Sequence, residues 1–327
     1  MLLKFMQFYN IKVQNFMRYK AEEIQHANET KQNFLKLDVG DNVESRKELH
    51  VHKYSVSEKE LSSLKIPPPD CSRTDDFWLT DYVIMAFISI VSKEARKNGH
   101  SIIPIDSIIT YQLINENSLT NGLHNGLIKN KVDIFKFWLL PVLMDNNHWV
   151  LFFIDHVKKV VVFINSNSQW RGNKNCLRLS RFKKHHVIEK ILEFADIYGL
   201  DSKNKSSMTW KVYAPPDIIQ QNDGYNCGVH VCLWAYVICH TAPIMFSNGD
   251  MTAARHAIKR TLIENHNTDC DDLKSFFDEE EVVEKDQEKL KIVQQNKYRN
   301  DEAVQIFITR PQGWDTTIAY LGKVLLM

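Results

Sequence analysis

The sequence predicts an α/β (α+β) domain, with a β-rich centre set between amphipathic and buried helices. Three observations carry that expectation. Residues 135–165 hold three short apolar runs rich in β-branched and aromatic residues. Apolar residues at helical spacing recur on both sides of them, at 80–97, 187–198 and 251–265. The stretch Cys227 to Cys239 is apolar nearly all round, as a helix inside a core must be.

Taken in order, residues 1–45 are polar and helix-compatible and read as a helical or disordered extension. The apolar start is interrupted by Lys4, Gln7, Asn10 and Lys12, which suits an amphipathic helix better than a secretory leader. His50 to Ser57 alternates like a strand, and Glu58 to Leu64 has the pattern of a short helical turn. Pro67, Pro68 and Pro69 force an extended connector, since proline is excluded from helix interiors. The next helix starts near Thr80, a suitable cap, and Asn98-Gly99 supplies a left-handed stop. Strands are expected at 135–143, 149–155 and 160–165, the last two joined by the turn His156-Val157-Lys158-Lys159. Residues 171–186 form a basic insertion, with Arg171, Lys174, Arg178, Arg181, Lys183 and Lys184. It reads as a solvated loop, or as a patch steering an acidic partner. A helix over Val187 to Tyr198, a strand at Trp210 to Tyr213 and a helix over Met251 to Asn265 complete the body. From Asp269 the chain turns acidic and reads as a partly helical tail. The domain limits are therefore 1–45, 46–268 and 269–327.

Composition narrows the function classes. The 327 residues carry 41 Lys and Arg against 40 Asp and Glu, a net charge of +1, which speaks against a nucleic-acid binder. With 44% hydrophobic residues and only 11 Gly and 9 Pro, the chain is not globally disordered. No apolar run reaches the roughly 18 residues of a membrane span. Six cysteines in so long a chain are no disulfide framework, which points to the reducing nucleus or cytoplasm.

One segment carries chemistry. In Gln221-Asn222-Asp223-Gly224-Tyr225-Asn226-Cys227-Gly228, a turn delivers the chain to a cysteine that opens a buried helix. There the unpaired backbone N–H groups and the helix dipole are expected to lower the thiol pKa and favour thiolate. Gly228 would let a substrate or another backbone approach the sulfur. Gln221 and the Cys227 N–H would face a developing oxyanion. A buried cysteine after an ordinary turn fits the same residues. As the base, His148 has the best setting, because a polar turn precedes it and a hydrophobic strand follows. Asn165 ends the next strand. If the two strands form a hairpin, His148 and Asn165 share one edge, giving a Cys-His-Asn arrangement. Cys227, His230, Cys232, Cys239 and His240 lack CxxC spacing, so no metal is expected. Cys232 and Cys239 read as core packing.

These features, in this order, resemble the SUMO/sentrin-specific (ULP) family of cysteine proteases, distant relatives of the adenovirus protease. The family's W-L-x-D is matched by Trp78-Leu79-Thr80-Asp81, its His-Trp by His148-Trp149, and its third catalytic position by Asn165-Ser166. Its Q-x-N-G-x-D-C-G is matched by Gln221 through Gly228. The resemblance implies a papain-like fold, a central mixed sheet, and the nucleophile at the start of a buried helix. It implies catalytic roles for Cys227, His148, Asn165 and Gln221, and substrate contacts at Trp78, Asp81, Trp149 and Gly228. Trp78 and Trp149 would form a narrow slot for glycines. The implied partner is SUMO or a related ubiquitin-like modifier and its conjugates, cut after the C-terminal Gly-Gly by a monomer without cofactor, metal, membrane or nucleic acid.

Three positions depart from the family pattern. Asn165 and Asn226 stand where it usually has Asp, and Asp223 where it usually has Asn. A weakened or dead member that only binds modifiers, or a protease of viral-type or other modifier specificity, therefore remain alternative readings.

Overall fold

Side chains alternate along the central strands, and both sets are apolar. Trp149, Leu151 and Phe153 join one buried cluster, and Val150, Phe152 and Ile154 join the other. A sheet that is apolar on both faces has to be covered on both. The computed structural model describes residues 22, 25–36, 48–68, 75–116, 119–167, 187–200, 209–215, 218–240, 246–268 and 304–307. The basic insertion at 171–186, the acidic run at 278–288, and Cys71, Cys176 and Cys270 lie outside them.

The described elements begin with a helix over 25–35 (α1) and a hairpin of β1 (Glu48–Val51) and β2 (Tyr54–Ser57). A short helix α2 (Glu58–Ser62), the helix α3 (Asp81–Lys97), the strand β3 (Ile102–Pro104) and the helices α4 (Ser107–Asn115) and α5 (Asn121–Lys129) follow. Next come β4 (Phe137–Met144), β5 (His148–Asp155), β6 (Val160–Ile164), α6 (Val187–Tyr198), β7 (Trp210–Tyr213), α7 (Cys227–His240) and α8 (Met251–Glu264). Residues Val304–Phe307 form β8.

Six strands form one mixed sheet in the order β3-β4-β5-β6-β7-β8. The two central pairings are antiparallel, and those at either side are parallel. One face is covered by α3, α7, α8 and α1, the other by α4, α5 and α6. Thr80 caps α3 by accepting from the Val83 N–H, and Gly99 ends it with φ +87°.

The structure adds to two expectations. Part of the N-terminal extension belongs to the core, because Phe34 of α1 packs against Phe87, Tyr236 and Phe246. Its apolar residues are too widely spaced to announce that role. The acidic tail, expected to be partly helical, also contributes residues 304–307 to the sheet as an edge strand parallel to β7.

Candidate active site

The site begins with two tight hairpins. Asp145 and Asn146 take left-handed φ values of 48° and 57°, which short polar residues tolerate, and the Asn147 N–H closes the turn on the Met144 carbonyl at 3.1 Å. This register opens β5 at His148, opposite Met144. β6 returns antiparallel to β5, so His148 and Asn165 meet at one edge. His148 Nε2 donates to Asn165 Oδ1 at 2.8 Å. The Asn167 N–H donates to that same atom at 2.9 Å, so the atom is the amide oxygen. Nε2 therefore carries a proton, and Nδ1 is the basic nitrogen of the neutral ring.

Cys227 opens α7, where the backbone N–H groups of Trp149, Gly228 and Cys227 itself act to lower its thiol pKa. Trp149 follows His148, so the start of α7 lies against the first peptide of β5. Those three N–H groups favour thiolate, as expected at a helix start. Burial outweighs them. It pushes the Cys227 thiol above its ordinary value, with the Asp223 carboxylate adding to the rise. Burial likewise lowers the His148 pKa, opposed by its bond to Asn165 and by Asp145. Both shifts run toward the neutral thiol and the neutral imidazole, against the direction expected from the helix terminus alone. Sequence shows a helix terminus but not how deeply it is sunk.

The loop before Cys227 is stapled to the end of β6. The Gln221 N–H donates to the Ser166 carbonyl at 2.7 Å, and the Ser166 hydroxyl donates to Gln221 Oε1 at 2.8 Å. Gln221 Nε2 donates to the Asp223 carbonyl at 2.8 Å, and its second amide proton is the one left for an oxyanion. Gln220 Nε2 donates to the carbonyls of Ile218, at 2.8 Å, and Asn165, at 3.3 Å. Asp223 receives the N–H groups of Tyr225 and Asn226 and, at 2.7 Å, the Asn226 side-chain amide.

Sequence reasoning overlooked Arg255, which is 1% exposed on α8. Its Nε donates to Asn226 Oδ1 at 2.9 Å, and its terminal nitrogens donate to the carbonyls of Ser63, Phe77 and Tyr225. The guanidinium therefore ties together the chain before Trp78 and the chain before Cys227. A charged residue on the apolar face of a predicted helix was the available signal.

The residues expected to touch substrate divide. Trp149 is buried and donates from its indole to the Leu79 carbonyl at 3.0 Å. Trp78 is half-buried and donates to the Gly224 carbonyl at 3.0 Å, across to the nucleophile loop. Asp81 lies exposed at the start of α3. Gly228 has a different reason from the one expected. A Cβ there would lie 2.9 Å from Leu79 Cβ and 3.1 Å from Ile84 Cδ1, so the chain's own core makes the close approach. Among the described residues no cluster of His, Cys, Asp or Glu is set to hold a metal, and no described helix could cross a membrane.

Comparison with known proteins agrees with this architecture. The model of the Ulp1 protease family, C-terminal catalytic domain, matches residues 77–268. Sentrin-specific protease 2 of Pongo abelii and of Homo sapiens are each 24% identical over 185 residues, 54% of this chain and 28% of theirs. Ubiquitin-like-specific protease 1 of Saccharomyces cerevisiae is 24% identical over 191 residues, 57% of this chain and 27% of its own. The chain thus spans little more than a quarter of the length of these curated relatives. The solved C-terminal Ulp1 protease domain, in complex with Smt3, the yeast orthologue of SUMO, covers 73% of this chain and 95% of its own. Its TM-score of 0.51 at 18% identity is a likeness of fold. With well over half of its residues matched by the family model, and with the described strands and helices in that fold, the chain belongs to the Ulp1 protease family.

Proposed function

We propose that this chain is a cysteine protease and isopeptidase that hydrolyses the bond after the C-terminal Gly-Gly of SUMO or a related ubiquitin-like modifier. The observation that supports it best is the 2.8 Å bond from His148 Nε2 to Asn165 Oδ1, with the N–H of the next residue, Trp149, acting to favour the Cys227 thiolate. Trp78, Trp149 and Asp81 would receive the modifier tail, and the enzyme would act in the nucleus or cytoplasm.

Burial, which disfavours the charged forms of both groups, suggests an order of events in which proton transfer accompanies attack. As the Cys227 sulfur attacks the glycine carbonyl carbon, His148 Nδ1 takes the thiol proton as general base. Asn165 steadies the imidazolium that forms. The Cys227 N–H and the second amide proton of Gln221 receive the oxyanion. When the C–N bond breaks, His148 returns the proton to the leaving lysine amine. It then takes a proton from the water that attacks the thioester, which frees the glycine carboxylate and restores the thiol.

Burial of both groups also favours a second reading, in which the domain binds modifiers without cutting them. Modifiers bearing a C-terminal propargylamide separate the two. A covalent adduct at Cys227, seen by mass spectrometry with one modifier and absent in Cys227→Ala, is expected. Measurable non-covalent binding with no adduct from any modifier would replace the protease reading with the binding one.

A further inference from the structure

We infer that α1, which lies outside the 77–268 matched to the family, positions the catalytic pair from behind through Lys31. The inference rests on the reading of Cys227, His148 and Asn165 as catalytic. Lys31 Nζ donates to Asp250 Oδ2 at 2.6 Å, with both side chains only about a fifth exposed, at 23% and 21%. The same oxygen receives the Ser247 N–H at 2.7 Å and the Ser247 hydroxyl at 2.9 Å. Asp250 thereby closes the tight turn over Asn248–Asp250 that leads into α8. Burial acts against the charge on Asp250, yet Lys31 and Ser247 together hold its carboxyl below the ordinary range.

From that turn Asn248 Nδ2 reaches the Gln220 carbonyl at 2.8 Å. Gln220 Nε2 in turn reaches the Asn165 carbonyl at 3.3 Å, and Asn165 Oδ1 holds His148. The route from α1 to the imidazole thus runs through hydrogen bonds and an ion pair, joined by the backbone of the Asn248–Asp250 turn.

The middle of this chain does not support itself. Asn165 Nδ2 and Gln220 Oε1 are buried without a hydrogen-bond partner. His230 is buried on the first turn of α7, within electrostatic reach of His148 and in hydrogen-bonding contact with the Asn248 side chain. Each unmet polar atom gives its amide a reason to turn toward another partner. An under-satisfied network keeps one arrangement only when its surroundings over-determine it. The three-donor lock on Asp250 supplies that constraint, and α1 supplies its cationic donor among the described residues. Phe34 sets α1 in place by packing on Phe87, Tyr236 and Phe246. Lys31 is in this sense a positioning residue, remote from substrate.

The test uses the full chain. Lys31→Ala is expected to lower kcat on a modifier-tail amide by about three- to tenfold with KM unchanged, and Lys31→Arg to restore it. Asn248→Ala, which breaks the link to Gln220, is expected to lower kcat further. Adding Lys31→Ala to it should then change little, because both act through one route. The rate of Cys227 alkylation by iodoacetamide against pH is measured in parallel and does not depend on any modifier. Its profile is expected to shift in Lys31→Ala and not in Lys31→Arg. A kcat and alkylation profile like those of wild type, even with a lower melting temperature, would overturn the inference by reducing Lys31 to a stabilising contact. If wild type turns over no modifier, the protease reading fails, and the alkylation profile alone upholds or overturns the coupling.

Discussion

Replacing Asn165 by alanine isolates the weakest-looking member of the proposed triad. The side chain supplies one acceptor, Oδ1, to the Nε2–H of His148. Both residues are buried, at 4% and 3% exposure, so water cannot substitute for the lost oxygen. A hydrogen bond to a group that becomes charged contributes about 1.5–3 kcal/mol. At about 1.4 kcal/mol per decade, the imidazolium-forming step should slow by roughly ten- to 150-fold. The Asn167 N–H loses the same acceptor, so Asn165→Ala should also cost folding stability, about 1–3 kcal/mol for an unsatisfied buried N–H. The assay is kcat/KM for release of a fluorescent amine from a modifier C-terminus, with binding of the uncleaved modifier measured separately. Binding should persist. A rate within twofold of wild type would refute the reasoning, since it would mean that the imidazole is oriented by something other than this amide. Asn165→Asp is the complement. A carboxylate at 2.8 Å would favour the imidazolium, raise the His148 pKa and move the acid limb of the pH profile upward.

Three further outcomes follow from the same structure. Burial holds His156 near a pKa of about 3, and its ring nitrogens have no partner, so the unfolded chain takes up this proton first. Its contribution to stability is full above about pH 6.5 and falls by about 4 kcal/mol as the pH drops toward 3. Urea midpoints should show that decline, and His156→Phe should flatten it. Gly228→Ala should lower stability by about 1–3 kcal/mol in denaturant titration, because Leu79 and Ile84 occupy the space its Cβ needs. Gly199→Ala should be worse, since its Cβ would sit 2.2 Å from the His156 ring and 2.3 Å from the Ala195 carbonyl; a melting temperature equal to wild type would contradict that packing.

What the sequence discloses depends on how local the physics is. The pairing of His148 with Asn165 was legible because turn residues and two apolar runs define a hairpin, and a hairpin fixes which ends meet. The cap at Thr80, the stop at Gly99 and the buried helix at Cys227 are likewise one-segment features. β3, α4 and α5 were not anticipated. Ile102–Pro104 is too short to show a period, and Asn121–Lys129 carries two glycines that weaken a helical pattern. Arg255, Asn248 and Lys31 act on residues far away in the chain, at Asn226, Gln220 and Asp250, and no local pattern announces such contacts. The direction of the Cys227 pKa escaped for the same reason, because dipole and N–H groups are visible in sequence whereas burial is a property of the whole fold.

The departures from the family pattern look different once the contacts are known. Where the usual motif has Asn and then Asp, this chain has Asp223 and then Asn226, and the two side chains are hydrogen-bonded to each other at 2.7 Å. The acid and the amide have exchanged places within one contact, so the loop keeps one carboxylate. The Arg255 guanidinium still finds an oxygen at position 226, now an amide oxygen at 2.9 Å. Within this loop neither change leaves a buried donor without an acceptor, because each side chain meets the other's changed partner. Exchanging one member alone should therefore be harmful. Asn226→Asp sets two carboxylates face to face, and Asp223→Asn leaves Arg255 without a nearby counter-charge. The double exchange should recover about 0.5–3 kcal/mol of what the singles lose, read as a coupling in a denaturation cycle. Additive losses would mean that Asp223 and Asn226 act independently, and the case for a maintained site would then rest on His148 and Asn165 alone.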